Sequence, residues 1–304
     1  MVSPLSLAAP AGPTRPSLAT VAELFKPITW FPPMWAFACG VVASGQPLLE
    51  RWWVALVGVL LAGPLVCATS QAVNDWFDRH VDAINEPHRP IPSGRMPGRT
   101  GLYVALVWTL LSLAVASLLG AWGFGAAVVG LVLAWMYSAP PARLKRNGWL
   151  GNAACGICYE SMPWFTGAAL MTGTLPDWRI VLVALLYGLG AHGIMTLNDF
   201  KSVDGDRVSG IRSLPVQLGV DGAARAACWT MLLPQFVVVG ALLAWGHPLH
   251  ALAVGALVVV QARMMLRFVQ DPRARALWYS GFGVPVYVSG MMVTAFALRA
   301  LVQA

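Results

Sequence analysis

The chain has 304 residues, of which 58% are hydrophobic and 11% charged, with a formal net charge of +7. A soluble globular domain carries about 25% charged residues, so the composition excludes an ordinary water-soluble enzyme and points to an all-α polytopic membrane protein. The basic residues sit in short loops between apolar runs, which is membrane-surface charge rather than a nucleic-acid footprint; the expected partner is a lipid bilayer, with no nucleic acid.

In chain order, residues 1–22 are rich in Ala, Pro and Ser and read as a disordered tail, leaving 23–304 as one transmembrane domain. Apolar runs long enough to cross a hydrocarbon core of roughly 30 Å give nine spans, near 28–46, 52–73, 101–119, 121–138, 150–173, 179–198, 223–246, 249–266 and 279–301. Pro32-Pro33 removes two backbone donors and is expected to kink or interrupt the first span. The second runs into Asn74-Asp75-Trp76-Phe77-Asp78-Arg79-His80-Val81-Asp82. If its helix continues, Asn74, Asp78 and Asp82 form one polar stripe at i, i+4 and i+8. A proline-fixed loop over residues 84–94 follows, with Glu86 and Arg89 as its polar handles.

The third and fourth spans meet at a tight turn near Gly120, and the fourth ends in Tyr137-Ser138-Ala139-Pro140-Pro141, a rigid entry to the cluster Arg143, Lys145 and Arg146. The fifth span holds Glu160, the one carboxylate well inside a span, which either bonds a bound substrate or pairs with another helix. The sixth carries His192 and ends in Asn198-Asp199, with Lys201, Asp204 and Asp206 just beyond; Asp199 and Asp206 are seven apart and are expected to share a helical face. His192 lies seven residues before Asp199, either as a ligand-facing group or as a hydrogen-bonded helix histidine. Cys39, Cys67, Cys155, Cys158 and Cys228 all lie inside apolar runs and read as small core hydrophobes.

Of the 20 Lys and Arg residues, 17 fall in the N-terminal segment and the loops on its side, leaving Arg51, Arg179 and Arg299 opposite. The positive-inside rule therefore places the N-terminus and the long loops in the cytoplasm and the C-terminus outside. The acids behave differently. Seven of the 13 Asp and Glu residues, counting Glu86 just beyond the first, fall in the two segments that close the second and sixth spans, and these resemble each other at an offset of 124: Asn74-Asp75 with Asn198-Asp199, and Asp82 with Asp206. The pattern suggests an internal repeat presenting two acidic stripes to one cavity.

Carboxylates stacked along a helix end repel one another and oppose the macrodipole, so a solvated acidic cap is the weaker explanation. A hard divalent cation resolves the repulsion: Mg²⁺ takes a few carboxylate oxygens and completes its shell with water and substrate phosphate. Asn74, Asp78, Asp82, Asp199 and Asp206 are the expected ligands, with Asp75 and Asn198 beside them. A lipid with a diphosphate head fits such a site. If the reaction is prenyl transfer, Lys145, Lys201 and Arg143 take the departing diphosphate, and Trp76, Phe77 and Phe200 either face the allylic cation or simply pack. A transporter would instead place its acids near the bilayer midplane, and a membrane scaffold needs no acidic stripes.

These motifs, N-D-x-x-D-x-x-x-D, Y-S-x-P-P-x-x-L-K and the second acidic segment, resemble in order those of the UbiA superfamily of intramembrane prenyltransferases, over nearly the whole chain after about residue 22. The loop Asp82-Ala83-Ile84-Asn85-Glu86-Pro87-His88-Arg89-Pro90-Ile91-Pro92-Ser93-Gly94 is similar to that of the chlorophyll and bacteriochlorophyll synthase group, with His80, His88 and the Glu160 region closer to the bacteriochlorophyll side. The resemblance implies the nine-helix fold of the family around a central cavity, Mg²⁺ as cofactor, and esterification of the propionate of a tetrapyrrole, bacteriochlorophyllide, with an isoprenoid diphosphate, geranylgeranyl or phytyl. It implies a site in the inner or intracytoplasmic photosynthetic membrane, with catalysis by Asp78, Asp82, Asp199, Asp206, Lys145 and Lys201. Asn74, Asp75, Glu86, Arg89, Tyr137, Arg143, Glu160, His192 and Asn198 are implied to bind substrate. Ser202 stands where many relatives carry an Asp, so Asp199 must supply that ligand, and Asp204 replaces a more usual Glu. Chlorophyll synthesis and a quinone- or haem-type prenyl transfer are the alternatives.

Overall fold

Ser17 opens the first helix, α1 (Leu18–Phe25), by accepting a hydrogen bond from the Thr20 amide at 3.1 Å. The structure, a computed structural model, describes residues 16–303. Residues 18–22, expected within a disordered tail, are therefore helical, because Leu24 and Phe25 bury against the rest of the chain and anchor them; the remainder of that expected tail, 1–15, lies outside the described residues.

Pro32 and Pro33 do not kink the next helix. They stand in the first turn of α2 (Phe31–Ala43), where the missing donors belong to the set that has no intrahelical partner. The second span begins at α3 (Trp52–Leu60), widens into a π-helical turn over Leu61–Cys67 around Pro64, and runs on as α4 (Ala68–Asn85). Proline cannot donate, so the ladder loosens there; the indole of Trp108 takes up the Pro64 carbonyl at 3.0 Å. This continuous helix carries the first acidic segment beyond the apolar stretch.

Gly120, with φ +72°, makes the expected tight turn between α5 (Thr100–Ser117) and α6 (Gly120–Ser138). The fifth span is α7 (Gly148–Gly156), a second π turn at Ile157–Ser161, and α8 (Met162–Thr172). Then come α9 (Trp178–Asp199), the short α10 (Val203–Val208), α11 (Leu214–Ala244), α12 (Pro248–Phe268) and α13 (Pro272–Gln303). Among the described residues seven helices are long and apolar enough to cross a membrane. The expected nine is not reached by that measure: α2 has only 13 residues, and the π turn divides the fifth span into two shorter helices. Among the described residues there is no β-strand, only one isolated bridge between Asn147 and Arg212.

Close approach of the inner helices depends on missing side chains. A Cβ on Gly40 of α2 would run into the Trp164 carbonyl of α8, and one on Gly167 into the Phe37 carbonyl of α2; small residues let membrane helices pack backbone to backbone. Several polar groups in this interior pair with one another: the Tyr287 hydroxyl donates to the Tyr187 carbonyl at 2.7 Å, Tyr187 and Thr294 share a hydrogen bond of 2.9 Å, and Gln235 donates to Gln261 at 2.6 Å. On the outer faces Leu110, Leu185, Leu252 and Phe282 are exposed. An apolar exterior around helices that satisfy their own backbone groups is what a bilayer solvent selects. This is a multi-pass membrane protein.

Candidate active site

The first acidic segment forms the stripe expected of it. Asn74 donates from Nδ2 to Asp78 Oδ2 at 3.0 Å and to Ser138 Oγ of α6 at 3.2 Å, which fixes the amide of Asn74 between two helices. Asp78 meets Lys145 Nζ at 2.5 Å and Arg143 at 3.5 Å, both delivered by the loop after Pro140-Pro141. Burial pushes the Lys145 ammonium below its ordinary range, while the Asp78 carboxylate beside it pulls the other way.

One turn on, Asp82 is buried and bonds Arg89 at 2.9 Å; Arg89 also reaches Asp75 at 3.5 Å and contacts Glu86. Glu86 and Arg89 are thus engaged inward, not held out as handles on the loop. Asp75, only 1% exposed, points away from the stripe to Lys26 Nζ at 2.6 Å. Nothing in the residue spacing couples a lysine at the end of α1 to an aspartate on α4.

The second segment departs from expectation. The helical face supposed to be shared by Asp199 and Asp206 does not form, because α9 stops at Asp199 and the chain turns before α10 begins at Val203. Phe200 turns inward, 2% exposed, against Phe268. The turn still brings Asp206 within electrostatic reach of Asp199, and Ser202 Oγ donates to Asp206 Oδ2 at 3.0 Å. The helix α10 abuts the end of α4: a Cβ on Gly205 would lie 3.9 Å from Asn85 Nδ2. Tyr137, at the end of α6, stands within electrostatic reach of both Asp78 and Asp199, one from each acidic segment.

Backbone bonds tie the loops beside these segments. Arg212 N donates to the Arg146 carbonyl at 2.9 Å, Gly148 N to the Arg212 carbonyl at 2.8 Å, and Ile211 N to the Asp206 carbonyl at 2.9 Å.

Other expected members stay apart. Asn198 and Lys201 are exposed, and Lys201 makes no ion pair among the described residues. Asp204 is drawn outward to Arg273 at 3.2 Å. Glu160 is buried, with Oε2 lacking any hydrogen-bond partner, and so does not pair with another helix; His192 is buried against Trp149, its Nδ1 likewise unpartnered. Of the three aromatics, Phe200 packs in the core, Phe77 meets Trp135 edge-on, and Trp76 lies under the Arg79 guanidinium at 4.2 Å. Packing accounts for all three. Among the described residues no three His, Cys, Asp or Glu side chains stand close enough to share one ion, because Lys145 and Arg89 occupy the carboxylates of the first stripe.

The model of the UbiA prenyltransferase family matches residues 30–296, which is most of the chain. The chain belongs to the UbiA prenyltransferase family. Relatives within and around this UbiA group differ in how near they stand. The bacteriochlorophyll synthase 33 kDa chain of Cereibacter sphaeroides is 56% identical over 94% of this chain and 95% of its own. The chloroplastic chlorophyll synthase of Arabidopsis thaliana is 40% identical over 90% of this chain and 73% of its own. A solved UbiA homolog from Archaeoglobus fulgidus, bound to GPP and Mg²⁺, superposes with a TM-score of 0.63 at 17% identity, covering 92% of this chain and 99% of that one. The UbiA fold is thereby established.

Proposed function

We propose that this chain transfers a prenyl group from geranylgeranyl or phytyl diphosphate to the propionate carboxylate of bacteriochlorophyllide, giving the esterified pigment and free diphosphate. The observation that carries the reading is the meeting of Lys145 and Arg143 with Asp78 beside Asn74, opposite Asp199 and Asp206, at the end of an apolar bundle. The acceptor follows from the relatives: 56% identity to a bacteriochlorophyll synthase against 40% to a chlorophyll synthase.

The donors fit a hard cation. Asn74, Asp78, Asp82, Asp199 and Asp206 offer only oxygen, and Asp199 Oδ2 is buried with no partner among the described residues. Divided between the two segments, with no three acids on any one ion as they stand, those five residues would hold Mg²⁺, which when bound would supply Lewis-acid neutralisation of the leaving diphosphate. The chain's own groups do the rest. Lys145 and Arg143 meet the negative charge that develops as the allylic C–O bond breaks. The apolar helices exclude water, which would otherwise capture the allylic cation. The acceptor carboxylate is already a nucleophile and needs no base.

Membranes carrying the chain, incubated with geranylgeranyl diphosphate, Mg²⁺ and either bacteriochlorophyllide, chlorophyllide or a quinone precursor, should esterify the first fastest. Preference for the quinone precursor overturns the assignment. The 17-to-3 division of basic residues supports a cytoplasmic active site and N-terminus in the photosynthetic or inner membrane. Reporter fusions after Arg95 and Arg212 should register the cytoplasm and one after Ala304 the far side; a cytoplasmic C-terminus breaks this topology.

A further inference from the structure

The π turn at Ile157–Ser161 presents a phenol that the mechanism above leaves unused. Gln71 Nε2 on α4 donates to the Tyr159 hydroxyl oxygen at 3.1 Å. Its other neighbours are Ser70, whose hydroxyl donates to the Cys67 carbonyl at 2.7 Å and stands outside hydrogen-bond geometry with the phenol, and the Cys67 sulfur at 3.5 Å, a weak partner whose own proton also faces the Thr29 carbonyl at 3.4 Å. The phenol oxygen is therefore satisfied as an acceptor, while its proton has no strong acceptor among the described residues. A donor left so in an apolar interior is costly, which points to a ligand oxygen that completes it.

The position says which oxygen. Gln71, Asn74 and Asp78 stand at i, i+3 and i+7 on one face of α4, so Gln71 lies about 10 Å deeper along the helix axis than Asp78. All three, together with Tyr159, Cys155 and Cys158, are partly exposed despite lying among packed helices, so this face opens onto free space. With the diphosphate at the acidic end, the allylic carbon points inward along that face, and the attacking carboxylate has to lie deeper still. One carboxylate oxygen attacks; the other enters a low-dielectric space and needs a hydrogen bond.

We infer that the Tyr159 hydroxyl donates to the propionate carboxylate of the pigment and holds it against the allylic carbon, with Gln71 as the positioning residue that aims the phenol. This rests on the function proposed above and names a contact within it. In the step, a carboxylate oxygen forms the new C–O bond as the bond to diphosphate breaks, the electron pair leaving with the diphosphate. Tyr159 keeps its proton, so the carboxylate stays nucleophilic.

The test is binding of two pigments to the full chain without prenyl donor, read by pigment fluorescence: bacteriochlorophyllide, and an analogue whose propionate is replaced by ethyl. The wild type should bind the carboxylate form about tenfold tighter, as a hydrogen bond to a charged group implies. Tyr159→Phe should bind the two within about twofold, with affinity for the ethyl analogue and for geranylgeranyl diphosphate unchanged. Gln71→Leu, which keeps the phenol but removes the amide that aims it, should lose part of the discrimination. Full discrimination in Tyr159→Phe overturns the contact, and so does an equal loss for both pigments and the diphosphate, which makes the residue structural. A wild type that never esterifies bacteriochlorophyllide sinks the function itself; one that does, with a Phe variant that discriminates normally, sinks only Tyr159.

Discussion

Asp78→Asn should lower prenyl transfer by at least ~10² while leaving the protein folded in the membrane. The change keeps the size and the bond from Asn74 but removes one negative charge from a site that must offset a diphosphate. Losing a carboxylate ligand costs several kcal/mol of transition-state stabilisation, at about 1.36 kcal/mol per tenfold in rate. Asp206→Asn should behave alike, since Asp206 lies within electrostatic reach of Asp199. Excess EDTA should silence the wild type and Mg²⁺ restore it. Diphosphate release at the wild-type rate by both variants would remove the two-segment mechanism.

The largest effect on stability is expected from Lys26→Met. Asp75 is 1% exposed and bonds Lys26 at 2.6 Å, with Arg89 more distant at 3.5 Å. Removing the nearer partner of a buried carboxylate leaves its charge to the more distant Arg89 alone, and breaking such a buried pair costs about 3 kcal/mol. The variant should melt several degrees lower in detergent, and Lys26→Met with Asp75→Asn should recover most of the loss by removing the stranded charge. A single variant that melts with the wild type, or a double variant no better than the single, would show that the pair contributes nothing. The outcome also separates Asp75 from its neighbours: a carboxylate held by Lys26 serves the fold, whereas Asn74 and Asp78 are the ones we propose for the chemistry.

How far the sequence alone reached follows from what spacing can encode. Asn74, Asp78 and Asp82 were legible as a stripe because α4 is continuous and its period carries the face forward. Lys145 was legible because the Pro140-Pro141 entry sits at a fixed distance from the end of α6, and the turn at Gly120 because only a tight connection fits between two spans. The same periodicity misled at Asp199 and Asp206, where burial of Phe200 against Phe268 outweighs helix continuation. Pairings made between elements left no trace in spacing: Lys26 with Asp75, Arg89 folded back on Asp82, Tyr159 on Gln71. Nor did the π turns, although Pro64 inside an apolar run hinted at the first.

The backbone bonds among Asp206, Ile211, Arg212, Arg146 and Gly148 have a bearing on evolution as well as chemistry. They yoke the arm that carries Lys145 to the arm that carries Asp206 through main-chain atoms alone. The distance between Lys145 and Asp206 is therefore set by how many residues lie in 207–212 more than by which side chains fill them, Gly210 with its φ of +68° excepted. Such a yoke lets those side chains drift while the length of the tether stays fixed.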